Sequence, residues 1–205
     1  DLILIDGAFD RMSYATPQIS DATIVSTGAS VSRSMKEVID STIHTIKMLG
    51  LDEEKDEEIL KLSNDIIKKS KVGIITKSHS IINLDINTAL DSAQDIIKNL
   101  DEDAKYIVIN GAVTDKLLED LMKYTQKYKG ITFLVEDGTK MFLSKNIVKK
   151  FQKNGGILKV LNPINIIAVT INPTSPNGYE FDKDKFLRSL TEELDIPVYN
   201  LGVND

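Results

Sequence analysis

Short apolar runs alternate with amphipathic stretches along most of this 205-residue chain. The apolar runs have the length of buried strands, and small polar residues bound them. These runs are residues 2–5, 22–26, 72–76, 106–109, 131–135, 157–161, 164–171 and 198–200. The stretches between them repeat apolar residues at helical spacing. Helices are predicted from about residue 32 or 34 to 49, and over about 53–69, 88–99, 114–128, 144–153 and 182–194. Ser34 with Glu37 fits a capping box for the first of them, and Thr114 is the predicted cap of the fourth. The alternation predicts a Rossmann-like α/β fold, with mostly parallel sheets and flanking helices.

The domain organisation predicted from this pattern has two parts. Residues 1–71 form a partial, nucleotide-binding-like α/β segment with two helices, and residues 72–205 form a second α/β lobe. One continuous domain over residues 1–205 is the alternative. The acid-rich residues 52–58 and the lysines that close the same predicted helix are interpreted as solvated helix ends, which the helix dipole favours.

Asp6 and Gly7 directly follow the first apolar run, residues 2–5. A strand that ends in Asp is similar to the Walker B arrangement of P-loop nucleotide hydrolases, in which the carboxylate contacts Mg²⁺ or its water. The alternative is a plain turn, which Asp-Gly also favours. The chain contains no G-x-x-x-x-G-K-[ST] motif, so ATP and Mg²⁺ could bind in the P-loop manner only with residues upstream of Asp1. Its abrupt start predicts the C-terminal part of a longer P-loop-like protein.

A second polar cluster, with Thr27, Gly28 and Ser30, joins the run 22–26 to a predicted helix. Backbone N–H groups at such a junction can hold an anion, although a tight strand-to-helix turn would have the same composition. In an open α/β sheet this cluster and Asp6–Gly7 would share the crevice at the carboxyl ends of the strands. Asp10 and Arg11 lie in the adjoining loop, where Arg11 could pair with Asp10 or with a phosphate.

Two further clusters follow predicted strands. Asn110 and Gly111 come after the run 106–109 and are candidates for a small anion or carboxylate site. His79 follows the run 72–76, where it could act as a general base or have a purely structural role.

Composition excludes several classes of site. The net charge is −6 and the pI about 5.1, which argues against nucleic acid as the main partner. The chain has no Cys and only two His, so thiolate chemistry and a multi-His metal site within one chain are not expected. No apolar run has the length of a membrane span, and a cytoplasmic protein is predicted.

Several phrases resemble one family of accessory proteins: LILIDGAFDRMSYATPQISDATIVSTGAS, INGAVTDKLLEDLM, INPTSPNGYEFDKDKFLRSL and PVYNL. These accessory proteins are encoded beside cobalamin-dependent lysine and ornithine aminomutases in anaerobic amino-acid fermenters. The resemblance implies ATP-linked reactivation of the aminomutase by exchange of damaged cobalamin. It also implies that Asp6 is the Walker-B-like carboxylate, with the phosphate-binding loop of longer family members missing from this chain.

Three functions therefore remain open. The first is an ATP-linked reactivation or accessory factor for a cobalamin-dependent aminomutase. The second is a small-molecule ligase or transferase that uses the Rossmann-like crevice, and the third is a non-catalytic docking subunit. The sequence does not decide whether the chain is an enzyme, and an oligomer is possible in each case.

Overall fold

The computed structural model describes residues 2–7, 12–86 and 92–201. The strands are β1 (Thr23–Gly28), β2 (Val72–Thr76), β3 (Ile81–Leu84), β4 (Ala104–Ile109), β5 (Val113–Thr114), β6 (Thr132–Val135), β7 (Met141–Phe142), β8 (Ile157–Val160), β9 (Ile166–Asn172) and β10 (Val198–Asn200). The helices are α1 (Met35–Leu49), α2 (Glu57–Lys69), α3 (Ala93–Asn99), α4 (Asp115–Tyr124), α5 (Lys145–Lys153) and α6 (Lys183–Glu193). The predicted α/β class is confirmed, and most strand pairs are parallel.

The chain forms two compact units, and the second is inserted into the first. The first unit comprises Asp1–Gly50 and Ile164–Asp205, and the second comprises Leu51–Pro163. The predicted boundary at residues 71/72 falls inside the second unit, between α2 and β2. The reason is that β9 and β10, at the end of the chain, pair with β1 rather than with the strands that precede them.

The first unit is a three-stranded parallel sheet in the order β1-β9-β10. Helices α1 and α6 contact each other and pack on one face of this sheet. Val169 and Ile171 of β9 point into that core, where they join Val38 of α1 and Phe186 of α6. Because side chains alternate along a strand, the other face carries the intervening residues.

The second unit contains a five-stranded sheet in the order β3-β2-β4-β6-β8. Strands β4, β6 and β8 are parallel, whereas β2 runs antiparallel to both β3 and β4. The apolar pattern of β2 is typical of a buried parallel strand, and the strand is fully buried. Its direction is reversed because a short hairpin, rather than a crossover helix, connects it to β3.

Residues 2–5 were predicted as a strand, and this prediction is wrong. Residues 2–7 have no regular secondary structure, and the side chains of Leu2, Ile3 and Leu4 are 81–86% exposed. The apolar run has the composition of a strand, but no neighbouring strand in the described structure pairs with it.

Helix ends follow their capping residues. Ser34 accepts a hydrogen bond from the Glu37 amide at 3.3 Å and starts α1, as its capping signal predicts. Glu37, however, accepts from the Ser32 hydroxyl at 2.7 Å, so only half of the predicted capping box is present. Helix α2 begins at Glu57 rather than at residue 53, because Asp56 is its N-cap. Helix α4 ends at Tyr124 rather than at residue 128.

Replacing Ser63 with alanine is expected to stabilise the protein. Ser63 lies on the buried face of α2, and among the described residues its Oγ is the buried side-chain atom without a hydrogen-bond partner. Removing an unsatisfied buried hydroxyl and raising helix propensity together predict a gain of about 1 kcal/mol. Urea denaturation followed by circular dichroism measures the change. Ser41→Ala on α1 is the control, since Ser41 donates to the Val38 carbonyl at 3.0 Å. A loss of stability in Ser63→Ala would contradict the prediction.

Candidate functional site

A groove of about 540 Å³ runs along the free edge of β1 in the first unit. Its walls are residues 5–7, the short 3₁₀ helix Met12–Ala15, strand β1 and one side of α1. The lining residues are Ile5, Asp6, Gly7, Met12, Tyr14, Ala15, Ser20, Ala22, Thr23, Ile24, Val25, Ser26, Thr27, Val31, Ser41, Thr42, Thr45 and Leu49. Of the predicted site residues, Asp6, Gly7 and Thr27 are brought together here.

The backbone of β1 contributes to the groove. In the described part of the chain, β9 is the strand that β1 pairs with. The Ala29 amide donates to the Asn172 carbonyl at 2.9 Å. In the parallel pairing that precedes this bond, Thr27 lies opposite Ile171 and Val25 lies opposite Val169. Since the ladder alternates, the N–H and C=O groups of Ile24 and Ser26 point away from β9, toward the groove.

Hydroxyl groups dominate the polar part of the lining. Thr42 Oγ1 lies 2.8 Å from Thr27 Oγ1 and 2.7 Å from the Val38 carbonyl oxygen. The Ser20 hydroxyl donates to the Tyr14 carbonyl at 2.7 Å and closes the loop that carries the short helix. Sequence reasoning missed these hydroxyls. A signal existed for the α1 wall, where Thr45 lies one helical turn after Ser41 and Thr42.

The charge of the lining bears on which ligands fit. Asp6 is its one carboxylate, and none of the lining residues named above is Lys, Arg or His. A single carboxylate is compatible with Mg²⁺, which keeps several waters and takes most other ligands from phosphate. No group of three or more metal-ligating side chains occurs among residues 2–7, 12–86 and 92–201. The described lining thus offers hydroxyl groups and one carboxylate, and it lacks a cation of the kind that cradles a triphosphate.

The cluster around Gly28 is a tightly packed turn. A Cβ atom on Gly28 would lie 2.3 Å from the Asn172 carbonyl oxygen, so the missing side chain makes room for β9. Ala29 is fully buried, and its carbonyl accepts a hydrogen bond from the Tyr179 hydroxyl. Val31 donates to the Gly28 carbonyl at 3.1 Å. The Ala29 and Val31 amides are therefore already used within the protein, and Ser30 is exposed outside the groove lining. Asp10 and Arg11 lie outside the described residues.

Asn110 and Gly111 lie in the second unit. The Asn110 side-chain amide donates to the Ile67 carbonyl at 2.8 Å, near the C-terminal end of α2, and its backbone amide donates to the Lys71 carbonyl. Gly111 has a φ of 152°, which few other residues adopt. Asn110 thus holds the end of α2 against the sheet. It also borders a shallow depression of about 420 Å³ that Lys68, Lys69 and Lys71 surround.

His79 occupies the hairpin between β2 and β3. Its φ is 63°, a left-handed conformation that is uncommon outside glycine. Its Nδ1 lies 2.9 Å from Glu58 Oε2 on α2, and its backbone amide donates to the Thr76 carbonyl at 3.0 Å. The contacts of this residue connect the hairpin to α2, which favours the structural role over that of a general base.

Glu54 is a buried carboxylate within the acid-rich run that was interpreted as solvated. Its side chain is 6% exposed, and Oε2 lies 3.1 Å from the Lys159 ammonium. Oε1 accepts hydrogen bonds from the Lys55 and Asp56 amides at 2.9 and 3.1 Å. Burial alone would raise the pKa of Glu54, but the Asp56 amide, Lys159 and the Lys55 amide together hold it below its usual value. Burial, then the Glu54 and Asp56 carboxylates, raises the pKa of Tyr106 to about 12.

Comparison with protein-family models, with curated proteins and with solved structures finds no match for this chain. Among the described residues, no helix combines the length and the apolar character that crossing a membrane requires.

Proposed function

We propose that this chain is an accessory factor for a cobalamin-dependent amino-acid aminomutase, and that its groove forms part of an ATP-linked ligand site. The observation that carries the proposal is the convergence of Asp6, Gly7 and Thr27 on one groove beside β1. The resemblance to reactivating proteins supplies the partner and the nucleotide. A cytoplasmic location belongs to the same proposal.

Within this proposal, the chain's own residues have limited roles. The Thr27 and Thr42 hydroxyls contact the sugar or base, and the Asp6 carboxylate holds the waters of a bound Mg²⁺. The phosphates must be held by groups outside the described lining, because that lining offers no cationic side chain. The chain is therefore one part of a nucleotide site, and it acts on its partner enzyme rather than on a small substrate.

A thermal-shift titration tests the ligand. Mg-ATP, Mg-ADP and adenosine are added separately to the chain, and the melting temperature is recorded. At a ligand concentration ten times Kd, stabilisation of about 1.4 kcal/mol is expected, which shifts a domain of this size by a few degrees. Asp6→Ala should weaken binding of the Mg²⁺ nucleotides about tenfold, since it removes one charge-assisted contact. Asp184→Ala, an exposed acid on α6 outside the groove lining, is the matched control.

A reactivation assay tests the partner. Lysine or ornithine aminomutase is inactivated, then incubated with Mg-ATP and fresh adenosylcobalamin, with and without the chain. Recovery of activity that depends on both the chain and the nucleotide supports the proposal. No nucleotide-induced shift together with no recovery would reject it.

A non-catalytic docking subunit is the second candidate, and one observation favours it. Most of the exposed large hydrophobic side chains in the described part of the chain belong to the first unit, including Ile24, Tyr199 and Leu201. Such surfaces often mark protein contacts. In this case the aminomutase would co-elute with the chain in size-exclusion chromatography without nucleotide, and no ligand would raise the melting temperature.

A further inference from the structure

We propose that residues 2–5, here called the apolar segment, pair as an extra strand with the free edge of β1 and close the groove. In the structure the segment has no regular secondary structure, and Leu2, Ile3 and Leu4 are more than four-fifths exposed. Four consecutive large apolar side chains gain free energy when they leave water. The inference does not depend on what the groove binds.

Among the described residues, no strand pairs with the edge of β1 that faces away from β9, and this free edge can accept such a strand. Ile24 and Ser26 direct their backbone N–H and C=O groups away from β9, as the register and the Ala29–Asn172 hydrogen bond establish. An open strand edge is a template for pairing with another extended segment, and proteins usually cover such edges. The edge therefore offers the hydrogen-bonding groups that a strand needs.

The position of the apolar segment identifies it as the occupant. Ile5, Asp6 and Gly7 already line the groove beside β1, so the segment is anchored where the pairing would begin. The groove also contains half-exposed apolar side chains, Met12, Ile24 and Val31, against which the segment can pack.

The apolar segment would therefore have two states, one free in solvent and one paired with β1. With the segment in solvent, the groove is open along β1. With the segment paired, the sheet gains a fourth strand, and Asp6 and Gly7 follow directly on that strand. A ligand that prefers one of these states shifts the population toward it.

Residue-resolved hydrogen exchange measured by NMR tests this inference without any ligand. If the segment pairs, the Ile24 and Ser26 amides are protected, and the Ile3→Pro/Leu4→Pro double variant lowers their protection at least about tenfold. Amides that face β1 alternate along the segment, so prolines at residues 3 and 4 remove one donor whichever alternate set faces β1. Ile3→Val/Leu4→Val is the matched control and should keep the protection, because valine favours strands.

Two internal references make the outcome unambiguous. The Val25 and Thr27 amides face β9 and should stay protected in every variant, which shows that the sheet is intact. Ile24 and Ser26 amides that exchange as fast as exposed amides in the unmodified chain would overturn the inference. Protection that rises with protein concentration would also overturn it, because the strand would then come from a second copy of the chain.

Discussion

Replacing Gly28 with alanine is expected to destabilise the first unit by about 3 kcal/mol. A Cβ atom at this position would lie 2.3 Å from the Asn172 carbonyl oxygen, and it would also crowd the Asn172 carbonyl carbon and Cβ at 3.2 Å. The obstacle is backbone of a central strand, which can move only by breaking its ladder with β1. Overpacking in such a position costs roughly 1–3 kcal/mol and sometimes more.

The matched control for Gly28→Ala is Gly178→Ala in the same unit. Gly178 has a φ of 80°, but a Cβ atom added there would meet no other atom within 4 Å, so its cost is conformational only, about 1 kcal/mol. Urea denaturation followed by circular dichroism should show that Gly28→Ala loses at least twice as much stability. Equal losses would mean that β9 shifts easily, and Gly28 would again be a candidate for close approach of a ligand.

Replacing Lys159 with methionine is expected to destabilise the second unit by about 2–3 kcal/mol at pH 7. The substitution keeps most of the apolar stem but leaves the buried Glu54 carboxylate without its ammonium partner, which lies 3.1 Å away. Breaking a fully buried pair costs about 3–5 kcal/mol. The loss expected for Lys159→Met is smaller than this because the Lys159 side chain is 30% exposed.

The effect of Lys159→Met should depend on pH in a defined direction. The folded-state pKa of Glu54 is lowered, so the ionised group contributes stability that is present above the ordinary pKa of 4.5 and is lost as pH falls through the folded value. The difference between the unmodified chain and Lys159→Met should therefore shrink between pH 7 and pH 3.5 in urea denaturation.

Lys98→Met provides the control for that substitution. Lys98 lies 3.8 Å from Asp95 on α3, and both side chains are largely exposed. Such a pair contributes about 0–1 kcal/mol, so Lys98→Met should change stability little at either pH. Equal effects of the two substitutions would show that the Glu54 pair is solvated in solution.

Local signals account for what the sequence predicted correctly. The apolar run of β2 and the caps at Ser34 and Thr114 depend on neighbours within a few residues, and each is present. The place of β2 beside β4 in the sheet depends on a partner farther along the chain. The insertion of the second unit has the same origin, because nothing near β1 indicates that its partner begins at Ile166.

Local signals also predict part of the candidate site. Asp6, Gly7 and Thr27 follow apolar runs, and the groove includes them. Gly28 also follows an apolar run, but its missing side chain allows β1 to pack closely against β9. Glu54 was missed because its sequence neighbours are also acidic, and only the distant Lys159 distinguishes it from them.

The inserted arrangement also determines the order in which the chain can fold during synthesis. The Glu54 amide donates to the Val160 carbonyl at 2.9 Å, and the Val160 amide donates to the Asp52 carbonyl at 3.0 Å. The two ends of the second unit therefore close on each other, and every strand of that unit's sheet has been translated before β9 emerges. The second unit can complete its core on the ribosome while β1 still lacks its partner. Slow translation after Pro163 would leave β1 exposed to other extended chains for longer, whereas the inserted unit would be unaffected.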